Sequence, residues 1–288
     1  MAVQTCYQHT TKAKTRRIHS VAQSQQLTDY NGLTALITGA SSGIGRLMAL
    51  QLAKNGARVA LVARRKDELE ALAEEIRAQS GEAVVLPCDI SDRQQAEQAA
   101  SQAIKKLGSV DLLVNNAGYG GQQKFLDWDL DDVEHIMRVN YFGTVYFAKA
   151  LLPQMLQRDR GWIVFMSSVS GKIASPKKTA YAATKFAMTG FAESLSLELD
   201  GTGINVLTVY PGTIDTPFHN SQMRNNMPEK VRDSMKSADG VVEATFDALA
   251  KGKREVTYPG GIAMGYVVKA LAPEFLRSQV LKTTKKES

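Results

Sequence analysis

The sequence is poor in cysteine, in histidine and in long apolar runs. Its two cysteines, Cys6 and Cys88, lie far apart in the 288 residues. They cannot frame a disulfide scaffold and fit a reducing compartment. The four histidines, His9, His19, His135 and His219, are scattered without metal-ligand spacing, so zinc chemistry is not indicated and no metal is expected. No stretch reaches 18 consecutive apolar residues, which speaks against a membrane-spanning helix. Acid is missing from residues 1–28, where Lys12, Lys14, Arg16 and Arg17 give +4, and residues 282–288 add +2. The net charge of +6 therefore belongs to two tails, and residues 29–281 are neutral. That balance gives no support to nucleic-acid binding, and no nucleic-acid partner is expected.

What is present is an ordinary globular composition, 44% apolar and 22% charged, which rules out a disordered or collagen-like chain. Residues 1–28 are polar and lack periodic apolar positions, so they read as a mobile extension. An untargeted, cytoplasmic reading is preferred to an organellar transit peptide, and the apolar core of a secretory signal is lacking. Beyond them, short apolar runs alternate with amphipathic stretches. Leu33–Thr38, Arg58–Ala63, Ala83–Leu86, Asp111–Val114, Trp162–Met166, Asn205–Tyr210 and Arg254–Tyr258 read as strands. Helices are expected between them, one opened by a Ser91 and Gln94 capping box, one running over Asp131–Gln157 and one over Thr179–Leu199. Strand–helix alternation implies parallel strands with right-handed crossovers, and continuous apolar strands imply helices on both faces. The expected fold is α/β: a single Rossmann-type doubly wound parallel sheet of about seven strands. The expected boundaries are an extension over 1–28, one catalytic domain over 29–258 and a C-terminal extension over 259–288.

Thr38-Gly39-Ala40-Ser41-Ser42-Gly43-Ile44-Gly45 sits between the first strand and the first helix. Glycines there permit a tight turn and close backbone approach to a pyrophosphate, and the helix N-terminus directs unpaired N–H groups at it. Gly39, Ser41, Ser42, Gly43, Ile44 and Gly45 are thus candidate dinucleotide ligands. The next strand ends in Arg64-Arg65, where an NAD-binding unit carries an acid for the ribose hydroxyl. A guanidinium suits a 2′-phosphate, so Arg64 is assigned to the cofactor and NADPH is favoured over NADH.

Thr38–Gly45, Asp89, Asn115-Asn116-Ala117-Gly118, Asn140, Ser168, Tyr181 with Lys185, and Pro211-Gly212 occur together in order. Over about residues 31–258 the chain resembles the short-chain dehydrogenase/reductase family. The resemblance implies a catalytic set of Asn140, Ser168, Tyr181 and Lys185. It also implies that Asp89 contacts adenine, that Asn115–Gly118 borders the cofactor and steadies the sheet, and that Thr216 bonds the nicotinamide carboxamide. Lys185 would hold the nicotinamide ribose, Asn140 would bend its helix and hold a relay water, and dimers or tetramers would form. The chemistry fits these residue types. Carbonyl reduction needs a hydride and a proton, and the cofactor supplies only the hydride. Tyr181 is a proton donor whose pKa the Lys185 ammonium, four residues on, is expected to draw down toward neutrality. Ser168 is placed to polarise the carbonyl, with Ser167 and Ser170 as rivals. Gly39-Ala40-Ser41-Ser42-Gly43 also matches a hydrolase nucleophile elbow, but that reading leaves Gly45, Arg64 and Tyr181–Lys185 unexplained.

The reading is an NADPH-dependent oxidoreductase that reversibly reduces a hydrophobic ketone or aldehyde. A non-catalytic NADP-binding regulator or scaffold and an NAD-dependent alcohol dehydrogenase are the alternatives. Residues 217–237, with Met223, Met227 and Met235, read as a lid able to line an apolar pocket. In the C-terminal extension, Ile262, Tyr266, Val267 and Leu271 are expected to share one apolar helix face. Packing of that face onto the body is preferred to a membrane-surface role.

Overall fold

The computed structural model describes residues 25–218 and 229–284. Residues 1–24, the middle of the 217–237 connection with Met223 and Met227, and residues 285–288 lie outside them. Within the described residues the strands are β1 (Thr34–Thr38), β2 (Arg58–Ala63), β3 (Ala83–Pro87), β4 (Leu112–Asn115), β5 (Gly161–Met166), β6 (Ile204–Pro211), the short pair β7 (Ile214–Asp215) and β8 (Lys236–Ser237), and β9 (Glu255–Tyr258). Seven of them make one sheet in the order β3-β2-β1-β4-β5-β6-β9, parallel throughout. The α/β Rossmann-type fold is as the sequence pattern implied.

Both faces of the sheet are covered, and the two-residue side-chain period divides each strand between two cores. Ala35, Ile37, Val59 and Leu61 face α1 (Gly43–Lys54), α2 (Lys66–Ala78) and a late helix over Ala238–Ala250. Leu36, Ala60, Val62 and Leu113 face the opposite way, onto α3 (Arg93–Leu107) and two longer helices described below. Each fully buried Leu or Ile contributes about 1.5–3 kcal/mol, which is why these strands are apolar on both sides.

Four sequence expectations change. The single helix over Asp131–Gln157 is instead α4 (Leu130–Met137), a π-helical turn over Arg138–Phe142, and α5 (Gly143–Arg158). The wide turn carries Asn140, whose side chain is held by the backbone of Tyr119 across the cleft. The cap of α3 is Asp92, not Ser91. Its carboxylate, a stronger acceptor, takes the N–H groups of Gln94 and Gln95 at 2.8 and 3.1 Å, while Ser91 donates to Asp89. Residues 25–28 pack on the body: Leu27 is buried and its N–H reaches the Leu249 carbonyl at 3.0 Å.

The C-terminal segment is the fourth. After α6 (Thr179–Glu198), α7 (Glu229–Asp233) and α8 (Ala238–Ala250), it forms α9 (Met264–Leu271) and α10 (Pro273–Thr284). Ile262 and Tyr266 turn toward the body, Ile262 beside Gly212 and the Tyr266 ring against that of Tyr210 at a centre-to-centre separation of 6.3 Å. Val267 and Leu271, expected on the same face, point away and are 50% and 80% exposed. At 100° per residue those pairs lie on different sides of the helix.

Candidate active site

The chain's direction of winding reverses between β1 and β4, the place where open α/β sheets bind ligands. A cleft of about 550 Å³ lies there, beyond the carboxyl ends of the central strands. Gly39, Ser41, Ser42, Gly43, Ile44, Arg64, Asp89, Asn116, Ser168, Tyr181, Lys185 and Thr216 all line it.

At one end, β1 runs into the glycine-rich turn. Gly39 and Gly43 hold φ of +67° and +55°. A Cβ on Gly45 would stand 2.4 Å from the Gly39 carbonyl oxygen, which admits no side chain. The first turn of α1 carries no acid, and the Ser42 side chain makes no cap hydrogen bond. Its N–H groups therefore keep their partial positive charge at the cleft wall, and the donor set fits a dinucleotide pyrophosphate. Thr38 stitches this turn to the β4 loop. Its hydroxyl donates to the Val114 carbonyl and accepts from the N–H groups of Asn116 and Ala117, both at 3.0 Å. The Asn116 amide donates to the carbonyls of Thr38 and Gly39 at 3.0 and 3.3 Å. It is thus spent on the protein itself.

The arginine pair divides its work. Arg65 donates to Ser41 at 2.9 Å, fixing a guanidinium over the turn. Arg64 acts on the Tyr119 hydroxyl, whose pKa burial and Asp132 raise and the Arg64 charge lowers. Arg65 was not assigned from sequence, although its place beside Arg64 was the available signal. Asp89 lines the cleft, but its carboxylate accepts from the Ser91 N–H and hydroxyl at 3.0 and 2.7 Å.

At the other end stand Ser168, Tyr181 and Lys185. Ser168 follows β5, and its hydroxyl accepts the Ser170 N–H at 3.0 Å and is hydrogen-bonded with Tyr181. Ser167 instead turns to the Thr189 hydroxyl at 3.1 Å. Tyr181 and Lys185 lie one turn apart on α6, both buried, with the lysine nitrogen 5.9 Å from the Tyr181 ring centre. That nitrogen donates to the Met166 carbonyl at 2.8 Å.

The expected lowering of the Tyr181 pKa is not what this geometry gives. Burial pushes the Tyr181 phenol up to about 12, against a lowering by the Ser168 hydrogen bond. The same desolvation pulls the Lys185 amine down to about 7. Loss of water penalises the phenolate and the ammonium alike, and the amine faces Met166 rather than the phenol oxygen.

Asn140 ties the two ends together. Its Oδ1 accepts the Tyr119 N–H at 3.0 Å, and its Nδ2 donates to the Tyr119 carbonyl at 2.9 Å and to Thr184 at 3.1 Å. Ile136, Ala180, Tyr181, Tyr119, Trp128, Val133 and Phe218 form an apolar cluster beside this end. Phe218 sets its ring 5.7 Å from that of Tyr181. Phe218 belongs to the 217–237 connection that was expected to line a pocket, whereas Trp128, Val133 and Ile136 escaped sequence reasoning because they join it from a separate segment. Thr216 is buried and packs against Gly43. Met235 does not line the cleft; it lies in the turn between α7 and β8.

Residues 33–227 match the family model described as short chain dehydrogenase. A short chain dehydrogenase of Pseudocercospora fijiensis is 38% identical over 226 residues, 76% of this chain and 73% of its own. The 3-ketodihydrosphingosine reductase of Bos taurus is 40% identical over 191 residues, 65% of this chain and 58% of its own length. Among solved structures, a 7α-hydroxysteroid dehydrogenase complexed with NADH and 7-oxo glycochenodeoxycholic acid superimposes with a TM-score of 0.74. It is 27% identical, over 81% of this chain and 95% of that one. An alcohol dehydrogenase from the archaeon Thermococcus sibiricus complexed with 5-hydroxy-NADP gives 0.71 at 27% identity, over 78% and 95%.

Proposed function

The chain belongs to the short-chain dehydrogenase/reductase family, as an NAD(P)-dependent oxidoreductase of carbonyl and CH–OH groups, and we propose that it is an NADPH-dependent reductase of hydrophobic ketones or aldehydes, reversible as an alcohol dehydrogenase. The observation that carries this is the Tyr181 hydroxyl, buried, hydrogen-bonded with Ser168 and one helical turn from Lys185, in the same cleft as the glycine-rich turn.

NADPH, when bound, supplies the hydride. The N–H groups at Ser42–Gly45 would hold its pyrophosphate, and Arg64 and Arg65 its 2′-phosphate. Ser168 donates a hydrogen bond to the substrate oxygen as charge grows there. Tyr181 gives its proton to that oxygen, and its raised pKa keeps the proton in place until it is needed. Lys185 stabilises the phenolate left behind in its protonated form, which its lowered pKa favours below about pH 7. Asn140 acts as a positioning residue, holding the Tyr119 backbone and Thr184. In the oxidation direction the same atoms run in reverse.

The preference for NADPH rests on two guanidinium groups at the end of β2 with no acid beside them in sequence until Asp67. The preference for a hydrophobic carbonyl rests on Tyr119, Val139 and Phe218, which line the cleft, with Tyr119 and Phe218 belonging to the apolar cluster around Tyr181. It accords with the ketosphingolipid and steroid named for two of the similar proteins. Exposed Phe142, Phe186 and Leu197 suit a homodimer or homotetramer. Among the described residues no helix is long and apolar enough to cross a membrane.

The test is a panel of carbonyl compounds with the purified full chain and either NADPH or NADH. Turnover of long-chain or polycyclic ketones with a lower KM for NADPH is expected. Turnover confined to small polar sugars, or a clear NADH preference, overturns the corresponding half of the reading.

A further inference from the structure

Helix α9 is built the wrong way round for a surface helix in water. Its inner side is held to the body by Gly265 against Ile173, by Tyr266 against Tyr210, and by Lys269, which donates to the Lys172 carbonyl at 2.6 Å. Lys269 also lies 4.9 Å from the Phe186 ring centre. These inner positions span about 100° around the helix axis at 100° per residue. Met264, Val267 and Leu271 lie on the opposite side and are 66%, 50% and 80% exposed. Beyond the break at Ala272, Phe275 in the first turn of α10 is another exposed apolar side chain, at 59%. The outer side of a solvated helix carries charge instead, as α2 does with Glu70, Glu74 and Lys66. A contiguous apolar surface of this kind marks a contact site.

We propose that this outward face of α9 and the start of α10 docks on an anionic lipid bilayer, lying in the interface without crossing it. Charge selects that occupant. From Met264 to the end, the sequence has Lys269, Arg277, Lys282, Lys285 and Lys286 against only Glu274 and Glu287. Residues 29–263 sum to −1 and residues 264–288 to +3, so apart from residues 1–28 the excess of cations lies in the segment that exposes the apolar side chains. Apolar side chains flanked by lysine and arginine are the pattern that binds headgroups and the upper acyl region together. A second copy of the chain would not need the cations, since no comparable acidic patch accompanies exposed apolar residues on this segment itself.

The position of the face has a consequence for the reaction. Ile262, which leads into α9, lies beside Gly212, and Gly212 lines the cleft. A bilayer held on α9 would therefore border the substrate end, and a lipophilic carbonyl compound could pass from membrane to cleft with little exposure to water. This second step rests on the reductase reading above; the docking does not.

The full chain is floated with phosphatidylcholine vesicles, with and without phosphatidylglycerol, at low and at high salt. Flotation with phosphatidylglycerol, weakened by salt and by its omission, is expected. A Val267→Asp, Leu271→Asp variant should lose at least about tenfold in vesicle affinity, since each apolar side chain contributes on the order of 1 kcal/mol or more. An Arg277→Gln, Lys282→Gln variant should lose the phosphatidylglycerol dependence. Thermal melting and NADPH binding establish that each variant is folded. A chain left in solution with every vesicle, or a folded Asp variant that floats undiminished, overturns the proposal. So does sedimentation in which the Asp variant dissociates a dimer while neither chain binds vesicles. Turnover of a soluble ketone is read separately: flotation without turnover supports docking and defeats the reductase reading, and turnover without flotation does the reverse.

Discussion

Tyr181→Phe removes one oxygen and leaves the rest of the site in place. The ring is 8% exposed, set in the cluster with Ile136 and Ala180 and 5.7 Å from the Phe218 ring. Phenylalanine fills the same volume, so no cavity opens. The structural loss is the hydrogen bond with Ser168, about 1 kcal/mol, offset in part because a hydroxyl no longer has to be buried. Melting should therefore move by no more than about 4 °C for a domain of this size. Catalysis should suffer far more. Without a proton donor at that atom, kcat for carbonyl reduction should fall by about 10²–10⁴, or roughly 3–5 kcal/mol in the barrier. NADPH binding, read by fluorescence, should change by less than about threefold, under 1 kcal/mol. The assay is NADPH consumption with a ketone the unaltered chain reduces. A folded Phe variant that keeps kcat within about threefold would refute the assignment of Tyr181 as the acid, because general acid catalysis is worth at least a hundredfold.

Replacing Arg64 and Arg65 together by Ala should raise the KM for NADPH by about tenfold or more, some 1.4 kcal/mol, with a much smaller effect on NADH; equal changes for both cofactors would contradict a 2′-phosphate role. Gly45→Ala would set a Cβ 2.4 Å from a backbone oxygen. It should cost about 2–4 kcal/mol in urea unfolding and weaken cofactor binding, and unaltered stability would show that the turn yields. Burial lowers Lys185 from 10.5 to about 7. Between those values an unfolded chain binds a proton that the native chain lacks, so this group makes stability rise as pH rises through the window. Lys185→Met should flatten that part of the stability–pH curve, and parallel curves for the two chains would count against the shift.

The alternation of apolar runs made the sheet legible because parallel strands buried on both faces carry no polar interruptions; Arg58–Ala63 emerges with the same bounds in sequence and structure. The candidate site residues were legible where chemistry and spacing coincide, as at Tyr181 and Lys185 on one helix face. Other features depend on partners distant in sequence. The family resemblance implied a bend at Asn140, and the structure shows it as the π turn over Arg138–Phe142; its partner Tyr119, distant in sequence, was not legible. The cap of α3 went to Asp92 because two adjacent candidates differ in acceptor strength and only geometry ranks them. Proximity in sequence set the expected direction of the Tyr181 shift, whereas the degree of desolvation, a property of the packed site, set the observed one. The apolar residues of α9 were found, but which of them faced inward depended on Tyr210, Ile173 and Lys172.

Thr38 also acts on the protein before any nucleotide binds. By holding the ends of β1 and β4 through a shared hydroxyl and the Asn116 amide, it settles the contour of the nucleotide cradle when the polypeptide folds. The entropy of arranging those two loops is then spent long before any nucleotide arrives. Affinity there draws on pre-organisation, so calorimetry of nucleotide association should register buried area and electrostatics, with little signature of loop ordering.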